Sequence, residues 1–412
     1  MSKYKWGTII PLIGGSAIGC YKATNELPKF HFSFDGFWGN DCGIVNYWKD
    51  IPYYNLNNIN VIDPNDINNV DFVNSVCPCA ALCRLNTSTG DKHGADAPQN
   101  NWMYKSAEYI LGVIKPKVYW GENAPALAGD NGQPVVKKLV EIGKKYGYSF
   151  SIYKTSTMKH GLPQKRDRCF YFFWKGNKIP VINFYDRERP TLKEYLSTVD
   201  RTLDNLNDYC RPEKPTDFLP FKFLLEKENM SYEEVIHKYG SEHIQSVMGV
   251  IFKNGWIDEL IKWIETYHKD DIMTPKTGRT FLDYAQYAKS KFDQGKGMFY
   301  LGPVFCENYS PAVISKTCYT LIHPTEDRYI SYREYAFLMG MPDDFSLTDE
   351  NNKLINIELI GQNVPANAAR DMCIEVCRFI DNDDTLEYVE NDGTFLYLLQ
   401  NNLNKKISKI AA

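Results

Sequence analysis

The amino-acid sequence predicts an α/β fold built on a doubly wound, mostly parallel sheet with a second, smaller domain. Three observations support this prediction. Short apolar runs alternate with helical segments from residue 6 to about residue 175, which is typical of βαβ units. The 412 residues are 43% hydrophobic and 14% aromatic, enough for a large core. Polar residues or glycines follow several of the apolar runs, as they do at ligand-binding edges of such sheets.

The predicted elements follow one another in chain order. The runs that predict strands are WGTIIPLIG, KFHFSF ending at Asp35, VDFVNSV ending before Cys77, KVYWGENAP ending at Glu122, SFSIYKT and RCFYFFW. A helix is expected to open near Ser16, after the first glycine turn. Two further segments, NNWMYKSAEYILGVIKP and QPVVKKLVEIGKKYGY, have apolar residues at helical spacing. Alternating strands and helices of this kind predict a parallel sheet.

A change of character along the chain predicts the domain organisation. Residues 1–175 form the first part of the main domain, and residues 176–300, turn-rich and then mostly helical and charged, form an inserted or second domain. Apolar strands and a helix return over residues 301–378. Residues 379–412, acidic and then basic, are expected to be a loosely packed tail.

The composition excludes several classes of protein. No run of 18 apolar residues and no secretory signal occurs, which predicts a cytoplasmic protein with no membrane contact. Eleven cysteines at irregular spacing favour a reducing compartment over a disulfide framework. The net charge of -4 does not indicate a nucleic-acid-binding protein, although it leaves room for one basic cleft.

Three cysteines, Cys77, Cys79 and Cys83, lie close together in the segment VCPCAALC. The run lacks the paired C-x2-C motifs typical of a zinc site, so no metal is expected. Packing and catalysis both remain open for these thiols on local grounds.

Four residues converge on one edge of the predicted sheet. Gly14, Asp35, Cys79 and Glu122 each lie at or just beyond the carboxyl end of a predicted strand, where open parallel sheets bind ligands. Taken singly each is ambiguous: the glycines do not have G-x-G-x-x-G spacing, and Asp35 could bind a ribose diol or cap a helix. Asp66 in DPNDINN could pair with an adenine amino group, but a solvated loop is the favoured interpretation.

Several peptides, taken in order, resemble the cytosine C5 methyltransferase family. They are PLIGGSAIG, the strand end at Asp35, VCPCAALC, GENAP, GLPQKRDRCFYF, YREYAFLMGMPDDF and IGQNVPANAA. The resemblance covers residues 6–175 and 300–378. It implies a Rossmann-like methyltransferase sheet, S-adenosylmethionine as the methyl donor, double-stranded DNA as the substrate, and a target-recognition role for residues 176–300.

The resemblance also implies catalytic roles. Cys79 occupies the position of the nucleophile, whose thiolate adds to C6 of cytosine and makes C5 able to attack a methyl group. Glu122 corresponds to the acid that donates to N3, for which an enclosed pocket would raise its pKa. Arg168 would reach the cytosine O2 or a flanking phosphate, and Arg166 would organise the site, although an exposed basic strand edge is the alternative for both. Gln164 could support the same loop.

Cofactor binding is assigned by the same resemblance. The residues expected at the donor are Ile13, Gly14, Gly15, Asp35, Asp66, Pro78, Gln362, Asn363 and Val364. Two departures from the family pattern are evident: Ile13 stands where an aromatic residue is usual, and PCAALC replaces a PCQ-type segment.

Two rival functions remain open at this point. One is methylation of tRNA cytosine by the same chemistry. The other is a base-flipping DNA-binding protein that has lost catalysis, which the altered PCAALC loop suggests. A monomer that modifies bacterial or phage DNA in a restriction-modification context is the leading expectation.

Overall fold

The computed structural model describes most of the chain. The described residues are 3–57, 67, 69–78, 80–82, 94–200, 219–274, 277–295, 303–314, 320–345 and 353–411. The chain forms two compact units: the first comprises Met1–Arg189, Leu338–Glu350 and Leu359–Ala412, and the second comprises Pro190–Phe337 and Asn351–Glu358.

The first unit is built on a nine-stranded sheet. Its strands are β1 Trp6–Ile9, β2 His31–Ser33, β3 Tyr53–Asn55, β4 Phe72–Ser75, β5 Val118–Asn123, β6 Tyr148–Ser156, β8 Asp167–Lys175, β16 Tyr397–Asn401 and β17 Lys406–Ile410. Three short strands of the first unit lie outside this sheet: β7 Gln164–Lys165, β9 Lys178–Pro180 and β15 Tyr388–Glu390. A further short strand, β14 Ser310–Pro311, belongs to the second unit.

Strand order explains where a site can form. The order is β17-β16-β6-β8-β5-β4-β1-β2-β3. Strands β1 to β5 run in parallel, β6 and β16 are parallel to each other, and β8 is antiparallel to both of its neighbours, β5 and β6. The carboxyl ends of the parallel strands and the beginning of β8 therefore lie at the same edge.

Helices cover the sheet on both faces. Those of the first unit are α1 Gly15–Thr24, α2 Trp38–Tyr47, α3 Asn101–Tyr109, α4 Gln133–Tyr146 and α13 Ala366–Ile380. On one face Asn74 of β4 donates to Ser16 Oγ of α1 at 2.8 Å, and the Trp174 and Phe379 rings, of β8 and α13, are 4.9 Å apart. On the other face Gly143 of α4 packs closely on the Phe173 ring. The sheet is thus doubly wound, as predicted.

Several predictions of the sequence are refined by the structure. The helix expected before Pro116 is α3 followed by a π-helical turn at Ile110–Ile114. Strand β3 was not predicted, and the expected tail after residue 378 is wrong, because β16 pairs with β6 and β17 pairs with β16. Tyr397 and Leu398 are fully buried, which is why this segment joins the core.

The second unit is mainly helical. Its helices are α5 Leu192–Ser197, α6 Leu219–Glu228, α7 Tyr232–Gly240, α8 Val247–Lys253, α9 Ile257–Tyr267, α10 Phe281–Asp293 and α11 Tyr332–Phe337, and helix α12 Lys353–Gln362 crosses from this unit to the first. Short strands occur at β10 Gln245–Ser246, β11 Ile272–Thr274, β12 Arg279–Thr280 and β13 Val304–Phe305. Helices α6 to α10 share one apolar core. Among the described residues, none of the helices of either unit is both long and apolar enough to cross a membrane.

Candidate active site

Glu122 is a buried carboxyl near the carboxyl end of β5. Its side chain is on the face of the sheet that α1 and α13 cover, and the residue is only 2% exposed. Burial raises the pKa of Glu122 above its ordinary value, because the charged form loses its hydration, while Arg168 and, to a smaller extent, Arg166 lower it. A carboxyl in this environment holds its proton at a higher pH than a carboxyl in water.

Arg168 is the residue that reaches Glu122. It is the second residue of β8, opposite Thr155 of β6, and its Nε lies 2.6 Å from Glu122 Oε1. The Arg168 side chain is 16% exposed, so the pair is closed on the protein side and open toward the edge of the sheet. The two groups form a charged and protonatable pair where a ligand can approach.

Arg166 has different partners. Its Nη2 donates to the carbonyl oxygens of Gly361 at 3.0 Å and Asn363 at 2.9 Å, and the residue is 2% exposed. The Arg166 carbonyl accepts from the backbone N–H and the hydroxyl of Thr157 at 2.9 and 2.8 Å. The two arginines of QKRDR thus differ in their contacts: Arg168 pairs with the acid, whereas Arg166, which also lowers the pKa of Glu122, binds the segment that precedes α13.

The glycine loop between β1 and α1 is held against that same segment. The Gly15 N–H donates to Asn363 Oδ1 at 2.8 Å, and a Cβ at Gly15 would overlap the Val364 carbonyl oxygen. Gly14, at the N-terminus of α1, has φ of +97°, which favours glycine. Glycine is needed at position 15 because the two backbone segments approach too closely for a side chain, and at position 14 because of its backbone conformation and the Ile44 side chain beside it.

Backbone strain marks the same loop. Ile10 and Leu12 both have φ of 52°, a left-handed conformation that is costly for these residues, and branched Ile10 in particular. Such strain is typical of ligand-binding loops, where the surrounding contacts enforce it. The Leu12 N–H donates to Asp41 Oδ1 at 2.9 Å, which is one of those contacts.

Asp41 of α2 was not predicted from the sequence. It is fully buried, and Tyr53 Oη of β3 donates to its second oxygen at 3.1 Å. Burial raises the pKa of Asp41 to about 7, against the opposing effect of its hydrogen bonds from Ser33, Tyr53 and Leu12. No linear signal identifies this residue, because its partner Leu12 is 29 positions away.

Asp35 lies beyond the end of β2 with its carboxylate exposed. Asn55 Nδ2, at the end of β3, donates to Asp35 Oδ1, and hydrogen bonds from Asn55 and Asn57 lower the pKa of Asp35. An ionised carboxylate in this position can accept from a pair of hydroxyls. Trp38, three residues along the chain and 54% exposed, adds an aromatic ring near the same edge, with its centroid 5.2 Å from that of Tyr53.

The remaining predicted donor residues are distributed around this loop. Ile13 and Val364 are buried, and Pro78 is partly exposed after β4. Gln362 is exposed and its Oε1 accepts from Asn40 Nδ2 at 3.2 Å. Gln164 is buried, and its Nε2 donates to the Leu338 carbonyl at 2.6 Å.

Two predicted site residues, Cys79 and Asp66, lie outside the described residues, as does Cys83. Cys77 is described: it is buried, and its Sγ is 3.8 Å from Ser106 Oγ and from Tyr171 Oη. Burial raises the pKa of the Cys77 thiol. Cys77 is therefore a packed thiol of the core. No cluster that could hold a metal ion occurs within the described part of the chain.

Comparisons with known proteins agree on one family. A family model described as C-5 cytosine-specific DNA methylase matches residues 13–377. The Type II methyltransferase M.NgoBI of Neisseria gonorrhoeae is 28% identical over 218 residues, 52% of this chain and 61% of that protein. M.PspPI of Psychrobacter sp. strain TA137 is 24% identical over 327 residues, 76% of this chain and 67% of that protein. This chain thus spans about three fifths of the length of M.NgoBI.

Solved structures share the fold. A chain described as a DNA modification methyltransferase encoded within an E. coli prophage aligns with a TM-score of 0.55 and 14% identity, covering 92% of this chain and 100% of that chain. The methyltransferase EhMeth of Entamoeba histolytica aligns with a TM-score of 0.51 and 14% identity, covering 93% and 99%. At these identities the likeness concerns the fold alone.

Proposed function

Because the chain belongs to the C-5 cytosine-specific DNA methylase family, we propose that it transfers a methyl group from S-adenosylmethionine to C5 of cytosine in double-stranded DNA. The observation that carries this proposal is the buried Glu122 paired with Arg168 at the ligand-binding edge of the sheet. An acid with a raised pKa beside a fixed cation suits a neutral, hydrogen-bonding heterocycle such as cytosine.

The glycine loop and the end of β2 fit the donor. S-adenosylmethionine supplies an electrophilic methyl group when it is bound. Asp35, ionised and exposed, would accept from the ribose hydroxyls. Gly14 and Gly15 let the backbone at the start of α1 come close to the ligand, and the segment Gln362–Val364 completes the wall of the site. Ile13, Asp66 and Pro78 remain predicted donor contacts.

Glu122 and Arg168 prepare the base for attack. The Cys79 thiolate adds to C6, which forms a carbon–sulfur bond and moves an electron pair toward N3 and O2. Glu122 donates its proton to N3 and so stabilises that charge, and Arg168 holds O2. C5 then has the character of an enamine carbon and takes the methyl group, as the bond between that group and the sulfonium sulfur breaks. A base removes the C5 proton, the electron pair of that bond expels the Cys79 thiolate, and the N3 proton returns to Glu122.

The target cytosine must leave the helix for this chemistry. Attack at C6 comes from above the ring plane, which stacking covers in a duplex. Holding the base between Cys79, Glu122 and Arg168 aligns the reacting atoms, and alignment of this kind can lower a barrier by roughly 7–11 kcal/mol. The second unit, which contains most of residues 176–300, is the proposed target-recognition part.

Methyl transfer from tritiated S-adenosylmethionine tests this proposal. The full chain is incubated with a mixed-sequence DNA duplex and, separately, with total tRNA, and the labelled product is mapped by bisulfite sequencing. Label in DNA at bisulfite-resistant cytosines supports the proposal. Label in tRNA alone would move the substrate to RNA, and no label in either would favour a base-flipping protein without catalysis.

The relatives suggest a biological setting. M.NgoBI and M.PspPI are named Type II methyltransferases. We extend this to a restriction-modification role, in which methylation at one short sequence protects DNA from cleavage. A single bisulfite-resistant motif in DNA from expressing cells is the expected result, and methylation without a sequence preference would contradict the role.

A further inference from the structure

Arg166 is a buried cation that binds the backbone of the segment before α13. Its guanidinium donates through one nitrogen to the carbonyl oxygens of Gly361 and Asn363, at 3.0 and 2.9 Å. Arg168, two residues along, takes the ion pair with Glu122. Two carbonyls bound by one charged group fix the backbone between them, because both hydrogen bonds are charge-assisted.

Asn363 links the segment that Arg166 holds to the glycine loop. Its backbone oxygen accepts from Arg166, while its side-chain Oδ1 accepts from the Gly15 N–H at 2.8 Å and its Nδ2 contacts Met341 Sδ at 3.1 Å. The residue is fully buried, so neither end has water as an alternative partner. Any shift of the Asn363 backbone therefore moves the group that holds Gly15.

The glycine loop and the segment Gly361–Val364 are packed tightly against each other. A Cβ at Gly15 would overlap the Val364 carbonyl oxygen and both side-chain heteroatoms of Asn363. Backbones this close keep a single relative position, since even one added atom has no space. The chain of contacts from Arg166 through Asn363 to Gly15 is thus short, direct and buried.

We propose that Arg166 is a positioning residue for the methyl-donor site: it fixes Gly361–Val364, and through Asn363 it sets the position of the Gly14–Gly15 loop. This role differs from that of Arg168, which acts at the acid. The proposal rests on the proposed function only for the identity of the donor. Its prediction is a division of labour, in which Arg166 determines donor affinity and Arg168 determines the rate of the chemical step.

Isothermal titration with S-adenosylhomocysteine, the demethylated donor, tests this division without requiring turnover. Arg166→Met removes the charge and both hydrogen bonds while keeping an unbranched apolar stem. We expect its Kd to rise about 10-fold or more, the effect of losing a charge-assisted hydrogen bond. Arg168→Met is the matched control. Its Kd for S-adenosylhomocysteine should change by less than about 3-fold, which is the variation expected of a residue that is not coupled to donor binding.

Kinetics give the second readout. Arg166→Met should raise the KM for S-adenosylmethionine with a kcat near that of the wild type at saturating donor, whereas Arg168→Met should lower kcat with little change in KM. Arg166→Lys keeps a donor and a charge and should recover part of the affinity. If the thermal melting curve of Arg166→Met shows that this variant does not fold, Arg166→Lys still tests the inference.

The outcomes separate this inference from the proposed function. Wild-type affinity of Arg166→Met for S-adenosylhomocysteine, or an equal loss in Arg168→Met, would overturn the positioning role. Failure of the wild-type protein itself to bind S-adenosylhomocysteine would instead overturn the donor assignment. The double variant Arg166→Met with Asn363→Leu tests whether Arg166 acts through Asn363. Losses of donor affinity that are not additive would support this, and additive losses would exclude it.

Discussion

Arg168 Nε lies 2.6 Å from Glu122 Oε1, and yet burial raises the pKa of that carboxyl. The two facts are compatible because the loss of hydration disfavours the glutamate anion more than the two nearby arginines favour it. Glu122 therefore keeps its proton to a higher pH than a carboxyl in water, as the proposed donation to N3 requires.

Glu122→Gln tests this property directly. The amide can still donate a hydrogen bond to N3 but cannot transfer a proton, so we expect turnover to fall by about 10²–10⁴-fold. Binding of S-adenosylhomocysteine should stay close to that of the wild type. Methyl incorporation into duplex DNA and isothermal titration measure the two effects, and turnover within a few-fold of the wild type would remove Glu122 from the proposed mechanism.

Cys79 and Cys77 form a matched pair in the sequence. Cys79→Ala should abolish methyl transfer because no other group is proposed to add to C6. Cys77→Ala should retain turnover and lose about 1 kcal/mol or more of stability, because the Cys77 thiol is buried against Ser106 and Tyr171. Methyl incorporation and urea unfolding check these outcomes; equal activity of the two variants would contradict the assignment of the nucleophile.

Asp41 should make stability depend on pH. Its pKa rises from 3.8 to about 7 on burial, so the folded state binds a proton that the unfolded state has released throughout this range. Stability is then lost as pH rises from about 4 to about 7. Because each tenfold change in proton affinity is worth about 1.4 kcal/mol, the loss is up to about 4 kcal/mol.

Asp41→Asn removes this titration. The amide keeps an acceptor for the Leu12 N–H, so the variant should be more stable than the wild type at about pH 8 and differ little at about pH 4. Urea unfolding at the two pH values measures the difference. A stability difference that does not change with pH would show that Asp41 titrates normally.

Gly15→Ala should disturb both folding and donor binding. The added methyl group meets the Val364 carbonyl, and overpacking of this kind costs about 1–3 kcal/mol. Gly39→Ala is the control, because a Cβ at Gly39 meets no atom within 4 Å. Thermal melting and titration with S-adenosylhomocysteine should distinguish the two variants, and similar behaviour of both would argue against close packing of the loop.

Asn402 should anchor the C-terminal strands. Its Nδ2 donates to Thr155 Oγ1 at 3.1 Å and to the Tyr185 carbonyl at 3.0 Å, in a buried position after β16. Asn402→Ala removes both of these buried hydrogen bonds and should cost about 1–3 kcal/mol in urea unfolding. Asn404→Ala, at an exposed position two residues on, should have no measurable effect; an equal loss in both variants would point to the turn itself.

Much of the first unit is predictable because parallel strands buried on both faces appear as apolar runs. Strands β1, β4 and β5 are buried at every position, and the sequence identified all three. The placement of Glu122 and Arg168 also followed from the sequence, because each lies within a few residues of a predicted strand end. Their contact depends on β8 running against β5, which no local pattern indicates.

The residues that were missed depend on contacts distant in sequence. In the sequence, Asp41 cannot be distinguished from other acidic residues. Its role depends on the packing of α2 beside Leu12. Strand β17 reads KISKI, in which two of the five residues are lysines, and an exposed edge strand with lysines resembles a solvated tail in the sequence. Its role is evident only from its pairing with β16.

The reversed direction of β8 sets a rule for how this protein can vary. Successive residues of a strand point to opposite faces, so Arg168 shares a face with Phe170 and not with Tyr171. A shift of one residue in the pairing of β8 with β5 would exchange the two faces of the strand and move Arg168 away from Glu122. Variation should therefore be accepted in this region only where it preserves both that register and the residues Gln164 and Arg166 of the preceding connection.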